Sequence, residues 1–389
     1  MGNLLHSMLS FVRGETPVTD ETTSITATQP VDYIATFETE PPTLVRVMRQ
    51  DSDWVVCNGT ERIQLRNQGD EVYLVPVFHG SWVGEWSQDR WIGAWTDSLR
   101  PQTYSVPLSI SPLPDPPSKS ECEQVVSRWS TTEGVLHMSV CNDSVRATIT
   151  TPTGDYRFLS GTIIDNNLEI STFDGSHLFR FDGKIDGDSL VKGSFISGTH
   201  YKTDFSGVQI SNSAVTCGSS VQQPLAKPLT FHGISRDGTT NHWSVSQLQD
   251  QGSAGLVLDI IGTWCPNCMD ESRLLREIAP EYPEIQFISL AFERSSGEQA
   301  LHRIAQFQSS MELPWPVWLG GEASKAEAAR NISVLDTVYS FPTTIFWPLD
   351  GEPTIHRGFN GPATGVGYEV EKMFFRSELN RITGRSENR

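Results

Sequence analysis

A pair of cysteines separated by two residues constrains this chain more than any other sequence feature. The motif Trp264-Cys265-Pro266-Asn267-Cys268 follows a nearly continuous apolar run at 255–261 and opens a segment with helical periodicity at 266–279. Such a run is typical of a strand buried on both faces. Pro266 suits the first helical turn, where its missing N–H costs nothing. The sequence therefore predicts a dithiol at the junction of a buried strand and a helix.

The dithiol fits redox chemistry better than metal binding. Structural zinc takes four ligands, and this pair has neither a second cysteine pair nor nearby histidines. A thiolate at a helix N-terminus is stabilised by the helix dipole, so Cys265 is predicted to be the attacking thiol with the lower pKa. Cys268, one turn later, is predicted to be less exposed and to resolve a mixed disulfide. A purely structural dithiol is the alternative. The other four cysteines are scattered: Cys57, Cys122, Cys141 and Cys217.

Length and charge exclude several classes of protein. A chain of 389 residues suggests two or three domains. The net charge of −18 argues against nucleic-acid binding, which needs a basic face. No apolar run approaches the ~18 residues that span a bilayer, so we expect no integral membrane span. We predict neither a cofactor nor a metal site.

Strand and helix patterns alternate over 229–384, which predicts an α/β domain with mixed strand directions. The predicted strands after the dithiol lie at 286–291, 343–347 and 354–357. Helices are predicted at 298–308 and 370–382, and a further helix opens at the capping box of Ser324 and Glu327.

The region 32–210 has short apolar runs and turn signals typical of an all-β sandwich or barrel-like domain. A proline-rich segment at 110–118 splits it into two parts, which are either a diverged duplication or two halves of one unit. Residues 1–31 form a disordered or targeting lead-in, 211–228 a linker and 385–389 a tail. The lead-in lacks a basic start and an unbroken apolar stretch, so it makes a poor signal peptide.

Turn signals and aromatic residues give more detail within the β region. Asp-Gly pairs at 174–175, 182–183 and 186–187 predict tight hairpins. Strands are predicted at 53–57, 71–77, 168–170, 178–181 and 190–195. We interpret the tryptophan cluster as core and rim residues, with a binding face as the alternative: Trp82, Trp86, Trp91 and Trp95. The histidines of this region lack metal-like spacing: His79, His137, His177 and His200.

A second motif far downstream, Phe341-Pro342-Thr343-Thr344, completes a resemblance to the thioredoxin fold over 229–383. In that fold the proline of this motif is normally cis and lies against the dithiol. The spacing from Cys268 to Glu271 is similar to that of the TlpA/ResA-like thiol-disulfide oxidoreductases of bacterial envelopes. Segments 151–157, 173–175 and 358–362 and the β-rich front resemble TlpA-like proteins of Bacteroidetes. This front-half resemblance brings no known chemistry.

The resemblance and the residues together name further site candidates. Asp259 lies six residues before Cys265, where thioredoxin has a buried Asp and TlpA-like proteins more often have Asn. Its apolar flanks predict burial and a raised pKa, which suits a proton acceptor for Cys268. By resemblance, Glu271 is a second acid–base candidate, and Pro342 and Trp264 flank the dithiol. A strand Asp facing water and an ordinary helical surface charge are the alternatives.

These features predict a thiol-disulfide oxidoreductase that reduces protein disulfides through Cys265 and Cys268 and is recycled by an upstream dithiol reductant. The resemblance implies a cell-envelope or periplasmic location. Two other functions remain open. A thiol peroxidase is disfavoured because the cysteine of peroxiredoxins follows a P-x-x-x-[TS]-x-x pattern. Here Leu258 stands at the proline position and Gly262 at the Thr/Ser position. A non-enzymatic envelope binding protein would instead use the β domain.

Overall fold

The computed structural model describes residues 31–78, 80–97, 104–113, 124–211, 219–222 and 228–385. The predicted lead-in lies outside these residues, apart from Val31, which begins the first strand. His79, Cys122, Cys217 and residues 386–389 also lie outside them.

The first part of the β region is a closed barrel of eight antiparallel strands. Its strands are β1 (Val31–Phe37), β2 (Thr43–Gln50), β3 (Asp53–Asn58), β4 (Glu61–Asn67), β5 (Val72–Leu74), β6 (Ser81–Ser87), β7 (Arg90–Asp97) and β8 (Tyr104–Pro112). Aromatic side chains fill its interior: Phe37, Trp54, Tyr73, Trp82, Trp91 and Trp95. The tryptophans thus occupy core and rim positions as predicted: Trp82, Trp91 and Trp95 are buried, and Trp86, 37% exposed, packs on Trp54 and Tyr33.

The second part is a nine-stranded antiparallel sheet with the order β10-β9-β17-β16-β15-β14-β13-β11-β12. Its strands are β9 (Val125–Thr131), β10 (Gly134–Cys141), β11 (Ser144–Thr151), β12 (Gly154–Asp155), β13 (Leu159–Ile164), β14 (Asn167–Phe173), β15 (Leu178–Asp186), β16 (Ser189–Ser197) and β17 (Tyr201–Ile210). The additional pairing of β10 with β11 brings the two ends of the sheet together.

Two predictions for the β region are wrong in detail. Asp182 and Gly183 make no hairpin; they lie inside β15, at a bulge where the register against β16 shifts. The strand predicted at 71–77 is only Val72–Leu74, because Pro76 follows and Val77 has a positive φ of 69°. The boundary between the barrel and the second sheet falls between Pro112 and Val125, in and after the proline-rich segment.

The C-terminal part is an α/β domain around an eight-stranded sheet with the order β18-β25-β24-β21-β22-β23-β19-β20. Its strands are β18 (Ser219–Gln222), β19 (Thr230–Ile234), β20 (Thr240–Ser244), β21 (Gly255–Ile261), β22 (Ile285–Glu293), β23 (Val317–Glu322), β24 (Thr343–Pro348) and β25 (Thr354–Arg357). Its helices are α1 (Ser246–Asp250), α2 (Pro266–Ile278), α3 (Gly297–Ser310), α4 (Lys325–Asn331) and α5 (Val366–Thr383), with 3-10 turns at Ala279–Glu281 and Pro362–Thr364.

The predicted mixture of strand directions is present in this sheet. β21, β22 and β23 are parallel, and β24 runs antiparallel to β21. Ser324 caps α4 by accepting the Glu327 N–H at 3.3 Å, as the capping box predicts. The predicted linker is corrected in part: Ser219–Gln222 pairs with β25 as an edge strand, because main-chain hydrogen bonds hold it without any apolar pattern.

Strand β21 is buried along its whole length, and its alternating side chains enter two cores. Leu256, Leu258 and Ile260 enter a core shared with β20 and α4. Val257 and Ile261 enter a core that continues through α2 and α5 into the interior of the barrel. Asp259 lies between these two residues on the same face, so the fold brings a carboxyl group beneath α2.

Candidate active site

The two cysteines of the motif form a disulfide at the start of α2. Cys265 is the N-cap residue, and its sulfur accepts the Cys268 N–H at 3.2 Å, while Pro266 is the first helical residue. Cys265 is 6% exposed and Cys268 is completely buried. Of the two cysteines, the one at the helix N-terminus is the more exposed.

The loop before β24 faces the first cysteine. The Phe341–Pro342 peptide bond is cis, and the Cys265 sulfur lies 3.5 Å from the Phe341 carbonyl oxygen. The Trp264 ring meets the Phe341 ring edge-on at 5.8 Å, and its indole N–H donates to the Phe292 carbonyl at 2.9 Å. These contacts give the Cys265 sulfur an apolar, aromatic edge made by Trp264 and Phe341, and they place the Phe341–Pro342 bond beside the cysteine pair.

Two buried carboxyl groups lie on the inner side of α2. Asp259 accepts hydrogen bonds from Ser289 Oγ at 3.1 Å and from Ser272 Oγ at 3.4 Å. Glu271, one turn after Cys268 on the same helix face, accepts a hydrogen bond from Thr344, the residue opposite Asp259 in the sheet. The inner side of the dithiol helix is therefore occupied by two acids.

Burial controls the ionisation of both acids. It raises the pKa of Asp259 to about 7, against hydrogen bonds that favour the charged form. Burial, together with the charge of Asp259, raises the pKa of Glu271 well above its ordinary value. Within the described residues, neither carboxyl group forms a salt bridge to Lys or Arg. A carboxyl group whose pKa is about 7, like that of Asp259, can accept and release a proton near neutral pH.

A further buried pair extends this acidic cluster, and the sequence analysis did not predict it. His356 Nε2 lies 3.0 Å from Glu371 Oε2, and both residues are completely buried. Glu371 also accepts the side-chain and backbone N–H groups of Asn360 at 3.0 and 3.1 Å. His356 is the register partner of Thr344, and the charge of Glu371 contributes to the raised pKa of Glu271.

On its outer side, the dithiol helix is joined to the β sheet by a buried arginine. Arg157, 2% exposed, donates to Asp270 at 2.5 Å and to the Pro266 carbonyl at 3.1 Å. The same guanidinium donates to Glu61 of the barrel. A single side chain thus ties all three parts of the molecule together at the start of α2.

The short hairpin of β11 and β12 packs directly against the dithiol motif. Asn267, inside the C-x-x-C, donates to the Asp155 carbonyl at 3.2 Å. A methyl group at Gly154, which has a φ of 136°, would collide with the Asn267 side chain. The Asp155 carboxyl accepts the Gly361 N–H at 2.5 Å, and burial raises its pKa to about 6. The motif is therefore covered by the chain's own β sheet.

A cleft of about 300 Å³ remains between this cover and the dithiol. Cys265 and Trp264 line one wall, and Thr153, His177 and Phe179 line the other. The His177 ring stacks on Phe179 at 4.9 Å, and its Nδ1 lies 3.1 Å from the Asp174 carboxyl group. This histidine, interpreted from the sequence as ordinary, lines the same cleft as Cys265.

The remaining candidates lie elsewhere. His137 contacts Thr150, and His200 contacts Tyr104. Cys57 is a buried free thiol, and Cys141 is disulfide-bonded.

The described residues hold no cluster of three or more potential metal ligands. None of the helices in the described part of the chain is both long enough and apolar enough to cross a membrane.

No family model and no curated protein matches this chain. Solved structures match part of it at low identity. They include a secreted Mycobacterium tuberculosis disulfide oxidoreductase homologous to E. coli DsbE, at 18% identity and a TM-score of 0.27, covering 36% of this chain and 94% of that one. A putative thiol:disulfide interchange protein DsbE from Chlorobium tepidum matches at 15% identity and a TM-score of 0.29, covering 41% and 99%.

The pneumococcal exposed lipoprotein thioredoxin Etrx1 from Streptococcus pneumoniae matches at 20% identity and a TM-score of 0.27. That match covers 39% of this chain and 98% of the lipoprotein. These neighbours are thioredoxin-like thiol-disulfide proteins that correspond to about two fifths of the chain. Scores and identities this low leave the function to be inferred from the site itself.

Proposed function

We propose that this chain is a thioredoxin-like thiol-disulfide oxidoreductase that reduces disulfides through Cys265 and Cys268. One observation carries the proposal: the cysteine pair caps a helix above two buried carboxyl groups and opens on one side into a cleft. A structural disulfide needs neither acids of raised pKa behind it nor an opening in front of it.

In the first step, the Cys265 thiolate attacks one sulfur of the substrate disulfide and the other sulfur leaves as a thiolate. The position at the N-terminus of α2 stabilises the attacking thiolate through the helix dipole and unpaired N–H groups. The 3.2 Å contact from the Cys268 N–H supplies one such donor. Attack on this side is favoured because Cys265 lines the cleft.

In the second step, Cys268 loses its proton and displaces the substrate from Cys265, which leaves the Cys265–Cys268 disulfide. Cys268 is fully buried, so water does not take the proton easily. The coupled acids Asp259 and Glu271 are our candidates for the acceptor, because burial raises the pKa of both, that of Asp259 to about 7. An upstream dithiol then reduces the disulfide and returns the proton.

The direction of the reaction and the compartment are also part of the proposal. Pro266 and Asn267 lie between the cysteines, and neither is the His that favours a strongly oxidising thiolate in some relatives, so we propose reduction. The resemblance to TlpA/ResA-like proteins supports a place in the cell envelope. Location can be tested separately, by fractionating cells that express the full-length chain.

Trapping of the mixed disulfide tests the proposed roles. A Cys268→Ala variant, reduced and then exposed to disulfides, should accumulate a covalent adduct on Cys265 that peptide mass spectrometry detects. The matched Cys265→Ala variant should accumulate none, because Cys268 is buried. Cys57→Ala controls for the remaining buried free thiol. An adduct on Cys268, or equal trapping by both single variants, would contradict the assignment.

A further inference from the structure

The cleft at Cys265 constrains the size of the disulfide that can reach it. Cys265 is 6% exposed, and the cleft that it lines measures about 300 Å³. Sites of ~300–1,000 Å³ hold small molecules. The opening in front of the reactive sulfur is thus at the small end of the range for small-molecule sites.

The outer wall of this cleft is fixed in place. Arg157 joins it to Asp270 and to the Pro266 carbonyl, and the Asp155 carboxyl joins it to Gly361. Asn267 adds a fourth hydrogen bond, to the Asp155 carbonyl. Breaking a buried ion pair of this kind costs several kcal/mol, so a partner would have to supply that free energy to displace the wall.

The lining suits a small molecule with a central disulfide and polar ends. Beside the Cys265 sulfur lie the Trp264 and Phe341 rings, which form an apolar edge for the substrate sulfurs. The opposite wall supplies the Thr153 hydroxyl and the His177 imidazole. Hydroxyl and imidazole groups can hydrogen-bond to carboxylate, amide or ammonium groups of a cysteinyl compound.

Assuming the redox function proposed above, we propose that the substrate is a low-molecular-weight disulfide of a cysteinyl compound, each half of which is no larger than a tripeptide. This is narrower than the protein disulfide that the sequence resemblance implies. Cys265 bonds to one substrate sulfur and releases the first thiol, and Cys268 then releases the second. The two electrons of the dithiol thereby convert one disulfide into two thiols.

Single-turnover oxidation of the reduced full-length protein tests this size limit. Oxidised glutathione and cystine represent small disulfides, and insulin represents a folded protein with accessible disulfides. Each rate is divided by the rate at which dithiothreitol reduces the same compound, which removes differences in intrinsic reactivity. We expect the normalised rates for the small disulfides to exceed that for insulin by about tenfold or more. A higher normalised rate for insulin would overturn the size limit and leave the redox function intact.

Filling the cleft provides a second test. Thr153 lines the cleft and is exposed, so Thr153→Trp should slow oxidation by oxidised glutathione by about tenfold or more. Thr162→Trp is the matched control: it places the same side chain at an exposed position of β13 outside the cleft and should leave the rate unchanged. Equal unfolding midpoints in urea show that both variants fold. Unchanged rates in both variants would overturn the proposal.

Failure of the redox function itself has a different result. If neither small disulfides nor insulin oxidise the reduced protein, and the Cys268→Ala variant traps no adduct, the proposed function is wrong, whatever the size of the cleft.

Discussion

Asp270 and Glu271 are consecutive residues of α2, yet their carboxyl groups lie in opposite surroundings. Asp270 points outward to the guanidinium of Arg157 and takes part in a buried ion pair. Glu271 points inward to Thr344 and the carboxyl group of Asp259, with no cation beside it among the described ion pairs. The presence or absence of a cation thus separates an acid that takes part in a buried ion pair from an acid whose pKa is raised.

The comparison explains why buried carboxyl groups at one site can have unrelated roles. A buried charge is tolerated when a partner charge and hydrogen bonds compensate it. Without a partner, the group raises its pKa and takes up a proton instead. The outer acid is therefore important for stability, and the inner acids are available for the proton transfer proposed for Cys268.

The largest effect is expected from removing the cation. Arg157→Met keeps the length of the side chain but leaves Asp270 and Glu61 without their buried partner. We expect a loss of about 3–5 kcal/mol in the free energy of unfolding. Arg273→Met is the control, because Arg273 also pairs with Asp270 but is 48% exposed, and its loss should cost ~0–1 kcal/mol.

Urea denaturation followed by tryptophan fluorescence measures both variants. If Arg157→Met costs no more than Arg273→Met, the outer ion pair does not hold the domains together, and the contrast between Asp270 and Glu271 fails.

Removing an inner acid should raise the free energy of unfolding, whereas removing the cation lowers it. Because burial raises the pKa of Asp259 to about 7, the native state keeps a proton that the unfolded chain releases near pH 4, so the stability contribution of Asp259 falls between pH 4 and about 7. Asp259→Asn should therefore exceed wild type in stability by at most ~4 kcal/mol at pH 8, and the difference should shrink toward pH 4. The same variant should slow resolution by Cys268 more than attack by Cys265.

Asp174→Asn is the matched control for this pH dependence. Burial works against the charge of Asp174, but His177 and Arg157 hold its pKa below the ordinary value. Its contribution is present above the ordinary carboxyl pKa and is lost as the pH falls through the lowered value, so Asp174→Asn should destabilise the protein at pH 8. Unfolding midpoints from pH 4 to 8 check both variants. If both variants changed the stability in the same direction at pH 8, the contrast between acids with and without a cationic partner would be wrong.

The smallest effect is expected where no charge is involved. Gly154→Ala places a methyl group against Asn267 at a φ of 136° and should cost ~1–3 kcal/mol. Gly187→Ala, at a φ of 58° with nothing within 4 Å, should cost ~1–2 kcal/mol from its backbone alone. Only Gly154→Ala should also change the rate of oxidation by oxidised glutathione. Equal rates in the two variants would show that the hairpin does not influence the reactivity of the dithiol.

The inner half of the site was largely predictable from the sequence because its signals are local. The motif around Cys265 joins a buried strand to a helix, and the apolar neighbours of Asp259 are enough to indicate that its side chain is buried. Glu271 and Pro342 were named by resemblance to a family. The predictions for Cys265 and Asp259 used residues within about one strand or one helical turn, where periodicity specifies which side chains share a face.

The outer half was not predictable in the same way. Arg157 lies 113 positions before Asp270 and 96 after Glu61, and no local pattern distinguishes an arginine that will be buried from one that will face water. Strand Ser219–Gln222 was missed for a related reason. Its pairing depends on the edge that β25 offers, rather than on its own polar composition. Contacts between distant segments become visible only when the chain has folded.

The three-way contact of Arg157 also has a consequence for descent. Glu61 lies in β4, Arg157 in the loop between β12 and β13, and Asp270 in α2, and the buried Arg157 pairs with both carboxyl groups. We expect substitutions at these positions to be inherited together. A gene fusion or exchange that replaced only the C-terminal part would leave unmatched charges at the new junction. The dithiol domain forms one continuous segment, yet exchanging it alone would remove the Asp270 partner of the buried Arg157.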